Sequence, residues 1–112
     1  MTVITDEYMR EMLPKSKEYW IVVLKAGPKI NEPGVEKIIW EHGRRNFALK
    51  AEGFLPIVCP VRDGTNVSGV GIFNANAEET KNIMDEDPGV QAGVFVYDLH
   101  PCRSFPGSSL PW

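Results

Sequence analysis

The clearest pattern in the chain is a helical repeat of apolar residues across positions 33–53. Proline suits the first turn of a helix and glycine the position just past its end, and Pro33 and Gly53 stand at those two places. The segment is therefore predicted to be an amphipathic helix. At about 100° per residue, one face of it collects Val35, Ile38, Ile39, His42, Asn46 and Leu49.

Four short runs have the composition of β-strands. Residues 19–24 are β-branched and aromatic, and residues 54–61 are apolar but contain two prolines. Because proline cannot donate a ladder hydrogen bond, we expect this second strand at an edge of the sheet. An Asp-Gly turn signal precedes the third run, residues 67–74, and the last run spans residues 90–99 with apolar residues on both faces.

Two shorter helices complete the predicted elements. Asn76 and Glu79 have the spacing of a capping box, and the helix that they begin must end before Pro88. Near the start of the chain, residues 7–13 can form a short helix that Pro14 ends.

The order of the central elements is β-α-β-β-α-β. A four-stranded antiparallel sheet with both helices on one face satisfies this order, with the first and third strands in the centre. We therefore predict an α+β, ferredoxin-like domain over residues 19–101, between an N-terminal extension (1–18) and an irregular tail (102–112). The bare face of the sheet is expected to meet a second copy of the chain, which gives a homodimer.

Composition narrows the classes of function. With 112 residues, 43% of them hydrophobic and 24% charged, the chain has the makeup of one globular domain. A net charge of −3 argues against nucleic acid, and residues 68–74 lack the spaced aromatics of RNA-recognition domains. No apolar run approaches 18 residues and no secretory signal is present, so we expect no membrane partner and a cytoplasmic location.

Cofactor chemistry has little support in the sequence. Cys59 and Cys102 lack metal-finger spacing, and we expect free thiols because the predicted topology puts them on opposite edge strands. No phosphate-cradling loop or nucleophilic triad is recognisable. We expect neither a metal nor another cofactor.

His42 is the anomaly in the apolar stripe of the long helix, and it has two interpretations. A histidine on an apolar face is more often a satisfied core residue than the working group of a site. The predicted topology, however, puts His42 and Asp87 at the same end of the sheet, across a cleft. A carboxylate beside an imidazole fixes its tautomer, as a general base requires. Taken alone, Asp87 before a proline is more simply a turn residue.

Four further residues are candidates for substrate binding in this cleft. Asn46 follows His42 by one turn, and Cys59 and Pro60 end the second strand at the same end of the sheet. Lys25 could lie at the cleft mouth and hold an anionic substrate, although an ordinary solvated charge is the simpler interpretation. The candidate ligand is a small molecule, either anionic or aromatic.

Two aromatic residues of the long helix fall outside its apolar stripe. Trp40 and Phe47 are predicted to pack against the N-terminal segment or against a partner subunit.

A resemblance adds to this interpretation. His42, Gly53, Pro60 and the run Asp87-Pro88-x-Val90-x-Ala92-Gly93-Val94 resemble the YCII-related family of the dimeric α/β-barrel superfamily, over about residues 19–101. The resemblance implies a sheet-to-sheet dimer with His42 and Asp87 as a His–Asp active-site pair. It also implies metal-free elimination or isomerisation of small, often aromatic-derived molecules.

The chain departs from the family pattern at two positions. Cys59 stands where the family usually has glycine, and Ile39 where some relatives have arginine. Two functions remain open at this point. The chain is either a cofactor-free lyase or isomerase, or a non-catalytic protein that binds or senses a small metabolite in the same cleft.

Overall fold

The computed structural model describes residues 1–112 and has the predicted α+β architecture. A 3-10 turn at Leu13–Lys15 joins the first helix to the first strand. None of the helices is both long and apolar enough to cross a bilayer. In chain order the elements are α1 (Asp6–Met12), β1 (Lys17–Ala26), α2 (Val35–Ala51), β2 (Ile57–Pro60), β3 (Val67–Phe73), α3 (Ala77–Asp85), α4 (Pro88–Gln91) and β4 (Phe95–Ser104).

The four strands form one antiparallel sheet in the order β2-β3-β1-β4. The central positions of β1 and β3 are as predicted, and so is the edge position of β2. Pro60 ends β2, where its missing N–H costs the ladder nothing. The prediction of a ferredoxin-like fold is confirmed.

The core lies between the sheet and the helices. Strand alternation sends Val22, Leu24 and Phe73 to the helix side of the sheet, where Leu49 of α2 and Met84 of α3 cover them. Burying each of these side chains contributes about 1.5–3 kcal/mol to folding. Packing against this core fixes the orientation of α2 about its own axis. In this orientation His42 faces inward.

The boundaries of α2 differ slightly from the prediction. Gly34, with φ of 87°, is the N-cap, so Pro33 precedes the helix instead of occupying its first turn. Gly53 adopts φ of 84° just past the end of the helix, the left-handed conformation that favours glycine there. Within the predicted stripe, Leu49 is buried whereas Ile39 lies at the exposed margin.

The predicted start of the last strand is wrong. Residues 88–91 form the short helix α4, and β4 begins only at Phe95. The physical reason is the cap: Asp87 accepts hydrogen bonds from the next turn of backbone, and Pro88 is pre-set for a first helical position. Residues 102–104, predicted as tail, continue β4 because they pair with the first residues of β1.

Candidate active site

His42 and Asp87 meet across the gap between α2 and α4. His42 Nδ1 lies 2.7 Å from Asp87 Oδ1. The imidazole is 12% exposed and the carboxylate 2% exposed, so the pair is shielded from water. The structure therefore brings together the two residues that the topology predicted to approach, while their catalytic role stays a prediction.

The carboxylate of Asp87 is held by its place at the start of α4. Its Oδ2 accepts hydrogen bonds from the backbone N–H groups of Gly89 at 2.9 Å and Val90 at 3.2 Å. Because Oδ2 is used by the backbone, Oδ1 is left for His42. Asp87 is thus both the turn residue of one interpretation and the histidine partner of the other.

Glycine is required at position 89 for this arrangement. A Cβ there would lie 2.5 Å from the ring of Phe95 and 3.1 Å from Asp87 Oδ2. Contacts below 3.0 Å force a neighbour to shift, and here both neighbours belong to the site. The absence of a side chain lets the carboxylate and the Phe95 ring share one small space.

Sequence reasoning missed two residues that contact the pair. Arg45 Nη1 lies 3.8 Å from Asp87 Oδ1, and the Arg45 side chain is 25% exposed. The ring of Phe95 lies 4.8 Å from the His42 imidazole, centroid to centroid, at a tilt of 50°. Arg45 follows His42 by three residues, a spacing that places two helical side chains side by side and could have revealed it. No local signal indicates Phe95, because it is distant in sequence.

The second ring nitrogen of His42 faces Asn46. Asn46 Nδ2 lies 3.3 Å from His42 Nε2, one helical turn away. With Nδ1–H donating to the Asp87 carboxylate, Nε2 carries the free lone pair and accepts from this amide. A proton acceptor is therefore exposed on the side of the imidazole that faces away from Asp87.

A cavity of about 250 Å³ opens beside His42 and Asn46. Most of its lining is apolar, and Cys59 and Pro60 contribute to it from the end of β2, on the far side from α2. An apolar wall strengthens electrostatic interactions inside it, because little water is present to screen them. Of the candidate substrate-binding residues, Asn46, Cys59 and Pro60 all line this cavity.

Glycines of β3 make room for the cavity. A Cβ at Gly71 would lie 2.9 Å from Leu55 Cδ1, and one at Gly69 would lie 3.1 Å from the carbonyl oxygen of Cys59. Side chains at these positions would fill the space between the sheet and α2. Because the two glycines have no side chains, the cavity extends down to the main chain of β3.

The prediction that Lys25 lies at the cleft mouth is corrected by the strand geometry. Leu24 faces the cavity, so the next residue along β1 points to the opposite face of the sheet. There Lys25 Nζ lies 2.6 Å from Asp98 Oδ2 and holds the pKa of that carboxyl below its usual value, with a smaller contribution from His100. Lys25 does not line the cavity.

A second polar cluster lies outside the cavity, where α3 packs near β4. The hydroxyl of Tyr97 donates to Asp85, which also binds Lys81. Burial and the neighbouring carboxylate raise the pKa of Tyr97 to about 12. The hydrogen bonds from Lys81 and Tyr97 lower the pKa of Asp85.

The chain has neither a disulfide nor a metal-binding cluster among its His, Cys, Asp and Glu side chains. Cys59 and Cys102 are free thiols on the opposite edge strands β2 and β4. No group of three or more His, Cys, Asp or Glu side chains is arranged to hold a metal ion.

Comparisons with known proteins find similarity among solved structures. No protein-family model matches the chain, and no curated protein matches it. Among solved structures, the chain is similar to 5-chloro-2-hydroxyhydroquinone dehydrochlorinase from Burkholderia phenoliruptrix AC1100, in complex with 2,5-dihydroxybenzoquinone. The TM-score is 0.50 at 15% identity, over 73% of this chain and 90% of the other. At that identity the likeness shows a shared fold.

Proposed function

We propose that the chain is a small-molecule enzyme of the YCII-related type, in which His42 and Asp87 act as a general acid–base pair for elimination or isomerisation. The observation that carries the proposal is the division of labour at the imidazole. Nδ1 lies 2.7 Å from a buried carboxylate, whereas Nε2 meets only the amide of Asn46 at 3.3 Å, and His42 and Asn46 both line the cavity. A histidine that only filled space in the core would have no reason to present a proton-accepting ring nitrogen beside a cavity.

In the proposed reaction, His42 Nε2 takes a proton from a carbon or hydroxyl group of the substrate. The electron pair left behind forms a new double bond, and either a leaving group departs or the proton returns at another position. The imidazolium that forms is stabilised by Asp87, which keeps its charge throughout. General-base catalysis of this kind contributes about 10²–10⁴-fold to a rate.

The cavity favours a compact, largely apolar substrate. An engineered cavity of about 150 Å³ in another protein binds benzene, so 250 Å³ leaves room for one ring with substituents. No lysine or arginine lines the cavity, which favours a neutral aromatic or quinone-like ligand over an anionic one. The dehydrochlorinase with the same fold was solved with 2,5-dihydroxybenzoquinone, and dehydrochlorination is an elimination. That ligand is one substituted quinone ring, which agrees with the proposed ring type and size.

We propose further that two copies pair through the bare face of the sheet. Alternation along β1 sends Tyr19, Ile21 and Val23 to this face, and Val96 of β4 adds to it. These side chains are half-buried or exposed in the single chain although they are apolar. A second sheet would cover them, as the resemblance implies.

The test is turnover of substituted hydroquinones and quinones by wild type and His42→Ala, followed by chromatography and by release of halide. We expect His42→Ala to abolish turnover. The control is Lys50→Ala, because Lys50 is exposed on the same helix and lines neither the cavity nor the sheet face. Equal activity in wild type and His42→Ala would contradict the proposal. Binding of these molecules without turnover would favour the alternative, a non-catalytic small-metabolite binding protein.

A further inference from the structure

The first fifteen residues form an arm that lacks a packing surface of its own. It consists of an extended start, α1 and the 3-10 turn, and none of the residues in α1 or the turn is buried. An isolated seven-residue helix is unstable in water, because most helical stability comes from packing of an apolar face. The arm nevertheless carries a row of exposed apolar side chains, namely Val3, Ile4, Tyr8, Met9 and Leu13.

The direction of the arm is fixed where it leaves the sheet. Arg103 donates from Nε to Ser16 Oγ at 2.9 Å and from Nη2 to the Ser16 carbonyl at 2.7 Å. Pro14 stiffens the adjoining 3-10 turn, and Lys17 is already paired with β4. The molecule measures 56 × 30 × 24 Å, with a radius of gyration of 16.5 Å. A compact chain of this length has a radius of gyration of about 13 Å. The arm and the exposed C-terminal residues both lengthen the molecule, and apart from the 3-10 turn no helix or strand packs closely against α1.

The outer side of α2 offers an apolar groove of about 520 Å³. Trp40 and Phe47 form its walls and are 69% and 72% exposed. Gly43 lies between them in sequence, and a Cβ there would meet nothing within 4 Å, so the groove floor is open. Ile39 and Gly43 line both this groove and the cavity beside His42.

We infer that the arm of one copy docks into the α2 groove of a second copy and there forms an outer wall of the His42 cavity. Both surfaces present exposed apolar side chains, with Glu36 and Arg44 at the groove and charged residues between the apolar ones on α1, and neither is covered within one chain. The groove is continuous with the cavity through Ile39 and Gly43, so a docked arm borders the space that a substrate would enter.

The area of contact is sufficient for a specific dimer. The rings of Tyr8, Trp40 and Phe47, scaled by their exposed fractions, offer roughly 280–470 Å² per arm. Two-fold symmetry makes the contact twice, and the aliphatic side chains of the arm bring the total to about 1,000 Å², the lower range of specific interfaces. These surfaces are separate from the sheet face, so arm docking and sheet pairing are independent.

The test is photocross-linking in full-length protein with Tyr8→p-benzoylphenylalanine, after mixing ¹⁴N-labelled and ¹⁵N-labelled copies. We expect cross-links to α2 between Ile39 and Phe47, with hybrid ¹⁴N–¹⁵N pairs as abundant as the two same-label pairs together. Cross-links within one chain would overturn the inference, because the arm would then fold back on its own domain. Cross-links to the sheet face, or none, would also overturn it.

A pair of variants tests the groove itself. Trp40→Ser with Phe47→Ser should abolish the cross-link, whereas Trp112→Ser, at the exposed end of the chain, should leave it unchanged. Met9→Lys in the arm should abolish it from the other side. A cross-link that persists in both groove and arm variants would contradict docking at this site. Because the readout needs no turnover, it stands or falls separately from the proposed function.

Discussion

Two aspartates, each with a nitrogen partner at almost the same distance, lie on opposite faces of the same sheet. His42 and Asp87 meet at 2.7 Å on the helix side, and Lys25 and Asp98 meet at 2.6 Å on the bare side. The side chains of the first pair are 12% and 2% exposed, and those of the second are 36% and 52% exposed. The distance between a carboxylate and its nitrogen partner therefore does not by itself indicate a functional site. Shielding from water and the use of every acceptor distinguish the pair beside the cavity from the pair on the surface.

The largest expected effect comes from removing the two carboxylates one at a time. Asp87→Ala should lower the free energy of unfolding by at least about 1–3 kcal/mol, because it leaves the Nδ1–H of His42 and the N–H groups of Gly89 and Val90 without their buried acceptor. It also removes the N-cap of α4. At a protein concentration low enough to keep the chains apart, Asp98→Ala should change the urea midpoint little, because its partner Lys25 is then hydrated. Equal midpoints in the two variants would contradict the assigned difference in shielding.

Asp87→Asn separates capping from charge. Asparagine caps helices as well as aspartate, so this variant should keep most of the stability that Asp87→Ala loses. Under the proposed function it should still lose turnover, because the neutral amide does not stabilise an imidazolium. Full turnover in Asp87→Asn would show that the charge is not used.

A smaller effect on stability is expected at the glycine that admits the buried carboxylate. Gly89→Ala forces a Cβ to within 2.5 Å of the Phe95 ring, and such overpacking costs about 1–3 kcal/mol. Gly43→Ala in α2 is the matched control. A Cβ there meets nothing within 4 Å, and removing a mid-helix glycine stabilises by about 0.8–1 kcal/mol. Urea unfolding of both variants measures this. A loss of stability at Gly43 as large as at Gly89 would argue against close packing as the cause.

The sequence predicts much of the fold and less of the site, for physical reasons. Periodicity and proline placement identified the sheet order, because they depend on which residues can face a core or pair in a ladder. The alternation of residues 92–97 suggested a strand that begins at Val90, but the cap at Asp87 turns residues 88–91 into α4. That cap is strong because Asp87 is buried against His42, a contact across 45 positions.

The position of Lys25 was within reach of the sequence, whereas that of Phe95 was not. Side chains alternate between the two faces of a strand, and Leu24 of β1 faces the core. Strict alternation therefore places Lys25 on the opposite face and would have excluded it from the cleft. The contact between Phe95 and His42 depends on where β4 begins, which only the packed structure determines.

The stability of the folded chain is expected to depend on pH through Tyr97, which belongs to neither the His42–Asp87 pair nor the Lys25–Asp98 pair. Its pKa is raised to about 12 from 10.0 by burial and by Asp85. The folded state therefore keeps its proton where the unfolded chain loses it. This contribution to stability is fully present below pH 10.0 and is lost as the pH rises toward 12. Urea midpoints measured across this window should fall less steeply in Tyr97→Phe than in wild type. Identical slopes would contradict the role of the Tyr97 hydroxyl.

The smallest expected effect concerns the exposed pair of Lys25 and Asp98. The Lys25 ammonium holds the pKa of Asp98 below its ordinary value of 3.8, so Lys25→Ala should raise that pKa toward 3.8. The sign follows from linkage: the contribution of the pair is present above pH 3.8 and is lost as the pH falls through the lowered pKa. Carboxyl chemical shifts followed by NMR measure the change. Because the pair is exposed, salt at 1 M should reduce the shift through a Debye length of about 3 Å. A salt-insensitive shift would mean that Asp98 is shielded after all, and the contrast between the two faces would then disappear.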